Sequence, residues 1–269
     1  MTTVRAPAVA GRFYPAGSRD LAGVVDSLLD VAPAADGGAA PAAYVVPHAG
    51  YRFSGPTAAR AYARLRRYAE PVRRVVLVGP AHYATQAGAP LAGCAAPEAD
   101  RWATPLGEVP LDTEAARALA AAGLVTLDDR PHAPEHSLEV QVPFLQRVLA
   151  PGVPLLPVAV GRTSAEDVAA LLAAAVDGPG TVVLCSTDLS HYLDRETAEA
   201  RDARTVRAVL DLADDRIGGR DACGAYPLRG LVAWARAAGL RAELLHRCTS
   251  ADTAGDPARV VGYAAFAFA

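Results

Sequence analysis

Short runs of consecutive apolar, β-branched residues recur along the chain, each followed by a polar loop and often by a helical pattern. AYVVP (43–47) leads into HAGYRFSG and a helix expected from Thr57 to Tyr68. RRVVLVGP (73–80) leads into the loop AHYATQAG, and VPLLPVAVG (153–161) into a helix that Ser164 caps, with Glu166 and Asp167 in its first turn. TVVLCSTD (181–188) precedes a long amphipathic helix expected over 189–212, and RAELLHRC (241–248) and RVVGYAAFAF (259–268) read as late strands. Runs without polar alternation suit strands buried on both faces, and their alternation with helices predicts an α/β fold. The expected architecture is one domain, residues 1–269, with a mostly parallel or mixed central sheet covered by helices on both faces. PAADGGAAPAA (33–43) is the loosest stretch and reads as a surface loop.

Composition narrows the chemistry. The chain is 52% hydrophobic with a net charge of −3, so it can build a core and carries no basic field for nucleic acid or anionic membrane. No apolar run is long enough to span a bilayer, and the first residues lack a signal-peptide core; a cytoplasmic protein is expected. All 26 basic residues are Arg, which excludes Walker and Schiff-base lysines, and the absence of Asn excludes a Cys-His-Asn triad. Four scattered cysteines form neither a disulfide framework nor a CxxC pair.

In open α/β sheets the site lies beyond the carboxyl ends of the strands. His48 follows AYVVP, His82 follows VVLVGP, and Asp188 and His191 follow VVLCST. Two imidazoles presented from strand ends are a common way to hold a transition metal. The third ligand is open between carboxylates and cysteines. Cys223 is favoured because it opens an amphipathic helix whose dipole would lower the thiol pKa, while Cys185 reads as a buried apolar residue and Cys248 as a residue that could face the site. Asp188, three residues before His191, is expected to orient that ring and make it a general acid/base. In RPHAPEHSLEVQVPFL, His136 and Glu139 would share a helix face, Ser137 would cap it, Pro143 would kink it or sit in its first turn, and His132 reads as solvated loop. A serine hydrolase using Ser186 or Ser190 lacks the G-x-S-x-G elbow.

APAVAGRFYPA, VVPHAGYRFSG, LVGPAHY, PEHSLEVQVPFL, STDLSHY, ACGAYPL and VVGYAAFAF, in this order, resemble the Memo family, whose prokaryotic members are described as protein B of the AmmeMemoRadiSam system. The resemblance implies a fold like that of class III extradiol dioxygenases. It also implies a two-His, one-Cys metal site at His48, His82 and Cys223, with His191, Asp188 and His136 as catalytic or pocket residues. Fe(II) is the first expectation and copper the second. The implied function is a dioxygenase-like redox enzyme acting on an unknown small molecule; the alternative is a non-catalytic iron or copper protein, or one that binds a phosphopeptide or a radical-SAM or AMMECR-type partner. The chain departs from the family pattern at Gln141 and at Ala225 and Tyr226.

Overall fold

The computed structural model describes residues 2–32, 39–83 and 89–269. The strands are β1 (Val4–Arg5), β2 (Ala43–Val46), β3 (Arg74–Pro80), β4 (Cys94–Ala96), β5 (Arg101–Thr104), β6 (Gly107–Pro110), β7 (Thr126–Leu127), β8 (Leu155–Val160), β9 (Thr181–Ser186), β10 (His191–Leu193), β11 (Ala242–Thr249) and β12 (Val260–Phe268). The helices are α1 (Ser18–Val31), α2 (Tyr51–Arg67), α3 (Thr113–Ala121), α4 (Val142–Val148), α5 (Ala165–Ala175), α6 (Arg195–Leu210) and α7 (Ala225–Ala237). The main sheet runs β10-β12-β2-β9-β3-β8-β4-β7, with β11 also on β12; β1, β5 and β6 form a small second sheet.

The centre of the main sheet, β2-β9-β3-β8, is parallel, and antiparallel β12 and β4 flank it. This is the mixed sheet that the sequence implies. Its central strands are buried on both sides because alternate residues serve two cores. Ala43, Val45, Val76 and Val78 join the core formed with α3, α5, α6 and α7. Tyr44, Val46, Val75 and Leu77 join the core formed with α1, α2 and α4. Each large apolar side chain so enclosed contributes about 1.5–3 kcal/mol relative to an exposed one. Among the described residues no helix is long and apolar enough to cross a membrane.

Several local expectations change. Helix α2 starts at Tyr51, not Thr57, and runs through Pro56. Gly55 and Pro56 read as loop punctuation, but a Cβ on Gly55 would stand 2.8 Å from Leu28 of α1, and this close packing keeps the segment helical. The long helix expected from 189 begins at Arg195, where the Asp194 carboxylate accepts the Thr197 amide. Residues 191–193 instead pair with β12 as β10. Ser164 caps α5 with Asp167 in a reciprocal capping box, as the sequence indicates. Pro143 lies in the first turn of α4. The loop expected at 33–43 falls partly outside the described residues, at 33–38, as does the end of AHYATQAG, at 84–88.

Candidate metal centre

Strand order brings the site together. Strand β9 lies between β2 and β3, so the segments leaving all three emerge side by side: His48 after β2, Asp188 after β9 and His82 after β3. The Thr187 amide donates to the Val46 carbonyl at 2.9 Å, tying the first two ends together. Gly79 is required where β3 reaches the site, because a Cβ there would stand 2.8 Å from Leu138 and 3.2 Å from Ser186.

His48 is 2% exposed, and its Nδ1 lies 3.0 Å from Ser186 Oγ. The Ser186 hydroxyl donates to the Ser137 carbonyl at 2.6 Å and accepts from Gln141 Nε2 at 2.9 Å. With its one hydrogen committed, that hydroxyl can only accept from His48, so Nδ1 carries the imidazole proton and Nε2 keeps its lone pair. Gln141 Nε2 also reaches the Pro47 carbonyl at 3.0 Å, and its Oε1 accepts the Tyr62 hydroxyl at 2.8 Å.

His82 is set the same way by a carboxylate. Glu135, 1% exposed, accepts the His82 amide at 2.7 Å and lies 2.9 Å from its Nδ1. It also accepts the amides of His136 and Ser137, at 2.9 and 2.8 Å. Burial alone would raise the Glu135 pKa, but hydrogen bonding and charge from His82, with the Ser137 and His82 amides, bring it down to about 2. An ionised Glu135 can only accept, so His82 Nδ1 is the donor and its Nε2 is free to ligate. Sequence reasoning passed over Glu135; its signal was the Glu immediately before His136.

His136 is not on a helix face shared with Glu139. It precedes the short turn Glu139–Gln141, and Glu139 points away to Arg5 at 2.7 Å and the Tyr14 hydroxyl at 2.6 Å. Nor does Ser137 cap a helix; its hydroxyl donates to the Pro80 carbonyl at 2.9 Å. The His136 ring stacks on His82 with centroids 4.7 Å apart and packs on Phe13 at 4.6 Å. Its Nδ1 is buried without a hydrogen-bond partner; the nearest Glu135 oxygen, at 3.3 Å, is wrongly angled. Possible ligand atoms of His48, His82 and His136 all lie within 4.8 Å of one another. Burial, then repulsion from the neighbouring imidazoles, pulls the His48 pKa well below 6.5 and that of His136 to about 4. Two imidazoles of depressed pKa, a third held at Nδ1 by Glu135, an orphaned His136 nitrogen and two free Nε2 atoms fit a transition ion.

Cys223 adjoins this triad. Its Sγ lies 3.2 Å from His48 Nε2 and accepts the Asp188 amide at 3.3 Å. The thiol pKa is raised, not lowered as expected from the helix start: burial dominates, and Asp188 adds to it. The metal-free group is therefore a thiol, and a bound cation would favour its deprotonation. Asp188 does not orient His191. Its Oδ1 accepts the His48 amide at 2.7 Å, while His191 Nδ1 lies 2.8 Å from the Leu189 carbonyl, a pure acceptor. His191 therefore presents Nε2 as an available base. Burial raises the Asp188 pKa, against the pull of the histidines.

His132, expected in solvated loop, is fully buried with Nε2 3.0 Å from the Ala95 carbonyl. Cys185 is buried in β9 as expected. Cys248 lies 3.1 Å from Thr57 Oγ1 and lines a different cavity. The site itself opens into a cavity of about 550 Å³, lined by the three clustered imidazoles, His191, Asp188 and Cys223 together with aromatic walls.

A family profile described as Memo-like protein matches residues 5–267. The chain is 37% identical to a MEMO1 family protein of Methanococcoides burtonii, over 97% of this chain and 98% of the relative. It is 35% identical to one of Methanopyrus kandleri, over 98% of each, and 33% identical to one of Aquifex aeolicus, over 98% of this chain and 99% of the relative.

Proposed function

This chain belongs to the Memo family, and from that premise we propose that residues 1–269 act as one metal-dependent unit, a dioxygenase-like redox enzyme on a small molecule, set in the reducing cytoplasm that its four free cysteines suit. The observation that carries the reading is the cluster of three imidazoles whose ligand atoms lie within 4.8 Å of one another. In this reading His48 and His82 hold the ion through Nε2, and Cys223, 3.2 Å from His48 Nε2, supplies the third ligand. Two imidazoles and a thiol suit iron or copper. When bound, such an ion supplies Lewis acidity and a change of oxidation state.

The chain's own groups do the rest. Ser186 and Glu135 hold the two Nδ1 protons and so aim both rings. His191, its Nδ1 proton engaged by the Leu189 carbonyl, accepts a substrate proton at Nε2. Asp188 fixes the turn that carries His48. Phe13 and the buried Tyr263 keep water from one wall of the cavity.

The unpartnered, buried Nδ1 of His136 favours a second reading in which a third imidazole ligates in place of the sulfur. Cobalt substitution separates the two: sulfur ligation gives an intense near-ultraviolet charge-transfer band that Cys223→Ser removes and His136→Gln keeps. We expect His82→Ala to lose bound metal while circular dichroism stays native, because that ring sits in a strand-end loop. Full metal occupancy in His82→Ala ends the proposal, and metal bound without turnover against catechols, thiols or small acids returns the protein to a storage or delivery role.

A further inference from the structure

Resting on the metal reading above, we propose that Arg259, seated on Tyr192 at the mouth of the cavity, recognises an anionic group on the ligand, so that the site takes a small organic carboxylate or phosphate with an apolar body. Arg259 immediately precedes β12 and lines the same cavity as the three imidazoles. Its guanidinium lies 4.7 Å above the Tyr192 ring. Among the described residues its side chain meets the Tyr192 ring and no carboxylate pairs with it. A guanidinium whose carbon sits over a ring keeps N–H groups for another partner, and its fork matches the two oxygens of a carboxylate or phosphate.

The platform is held against a cost. Tyr192 has φ 59°, a left-handed backbone that disfavours side-chain-bearing residues by about 1–2 kcal/mol. It lies where the β10–β12 register breaks between His191 and Leu193. That bulge sends its ring outward, 63% exposed, beneath Arg259. Strained residues of this kind persist where the surroundings over-determine them, and they cluster at ligand clamps. Between the mouth and the imidazoles, Phe13, Phe53, Val261 and Tyr263 line the cavity. Among the described residues the one carboxylate lining it, Asp188, is buried and engaged by the His48 amide. Imidazoles, apolar wall and free guanidinium thus define a ligand with a flat apolar body and one anionic end.

The test is calorimetric titration of the full chain, metal-loaded and chelator-stripped, with benzoate, phenyl phosphate and neutral benzyl alcohol. One or both anions should bind about tenfold more tightly than the alcohol in both metal states; which anion leads identifies the source. Arg259→Gln should lose that preference with metal content unchanged, and Arg259→Lys should keep part of it. Equal affinity for anion and alcohol, no binding of either, or a preference that survives Arg259→Gln overturns the inference. So does a preference that disappears on stripping, since the anion then sits on the metal. If the wild-type chain retains no metal, the metal reading fails, and the stripped-chain titration still decides the role of Arg259.

Discussion

Glu135 and Ser186 show how single residues set the chemistry of others: each holds the Nδ1 proton of one histidine and leaves the opposite nitrogen free. His132 shows a different role for the same residue type. It is enclosed far from solvent, bonded to the Ala95 carbonyl, and burial lowers its pKa to about 4. The unfolded ring protonates near pH 6.5, so as pH falls the unfolded chain binds its proton first. Stability therefore declines from about pH 6.5 until the folded ring also protonates near pH 4, by up to ~3 kcal/mol for this group. Denaturant midpoints measured across that range should fall in the wild type and less steeply in His132→Phe. A parallel pair of slopes would show that His132 does not titrate this way. Its burial was illegible because Pro131, Ala133 and Pro134 read as an exposed turn, and only the fold places the ring beside β4 and against Trp102, 5.7 Å between centroids.

At the scale of elements, β2, β3, β8, β9, β11, β12 and the α5 cap were legible because each rests on local pattern: apolar, β-branched runs for these strands, Ser164 with Asp167 for the cap. The short strands β1 and β4–β7 carry no such run and were not legible. The starts of α2 and α6 were not. Tyr51–Gly55 is helical because α1 packs on it, and His191–Leu193 is strand because β12 offers it a ladder. Such contacts have no signature in the segment itself. Glycine carries similar information between helices. A Cβ on Gly230 of α7 would stand 2.2 Å from the Val168 Cβ of α5, so these helices meet backbone to side chain. Gly230→Ala should destabilise the protein by about 1–3 kcal/mol in denaturant unfolding, and adding Val168→Ala should recover part of that loss. A Gly230→Ala variant of wild-type stability would mean that the two helices can separate freely.

For the whole molecule, a metal that binds the folded site alone must stabilise the entire chain. Free Fe(II) at a hundred times its dissociation constant adds about 2.7 kcal/mol, which for a chain of this size raises the calorimetric midpoint by several degrees. His82→Ala should show no such rise, and a wild-type midpoint indifferent to Fe(II) would separate metal from fold. The sequence by itself determined the α/β class, the buried parallel strands, the family, and the histidines that follow strand ends, because apolar period and turn chemistry are written locally. It also picked out Cys223, but assigned its thiol the wrong direction of pKa. Only the tertiary structure decided that Glu135 grips His82, that His136, a pocket residue by resemblance, comes within ligand range of His48 and His82, that Asp188 bonds the His48 amide while His191 bonds the Leu189 carbonyl, and that Arg259 stands over the cavity. Each of these depends on the order β2-β9-β3 and the return of β12, which bring residues far apart in the chain together beyond the carboxyl ends of the central strands and leave burial to shift their protonation.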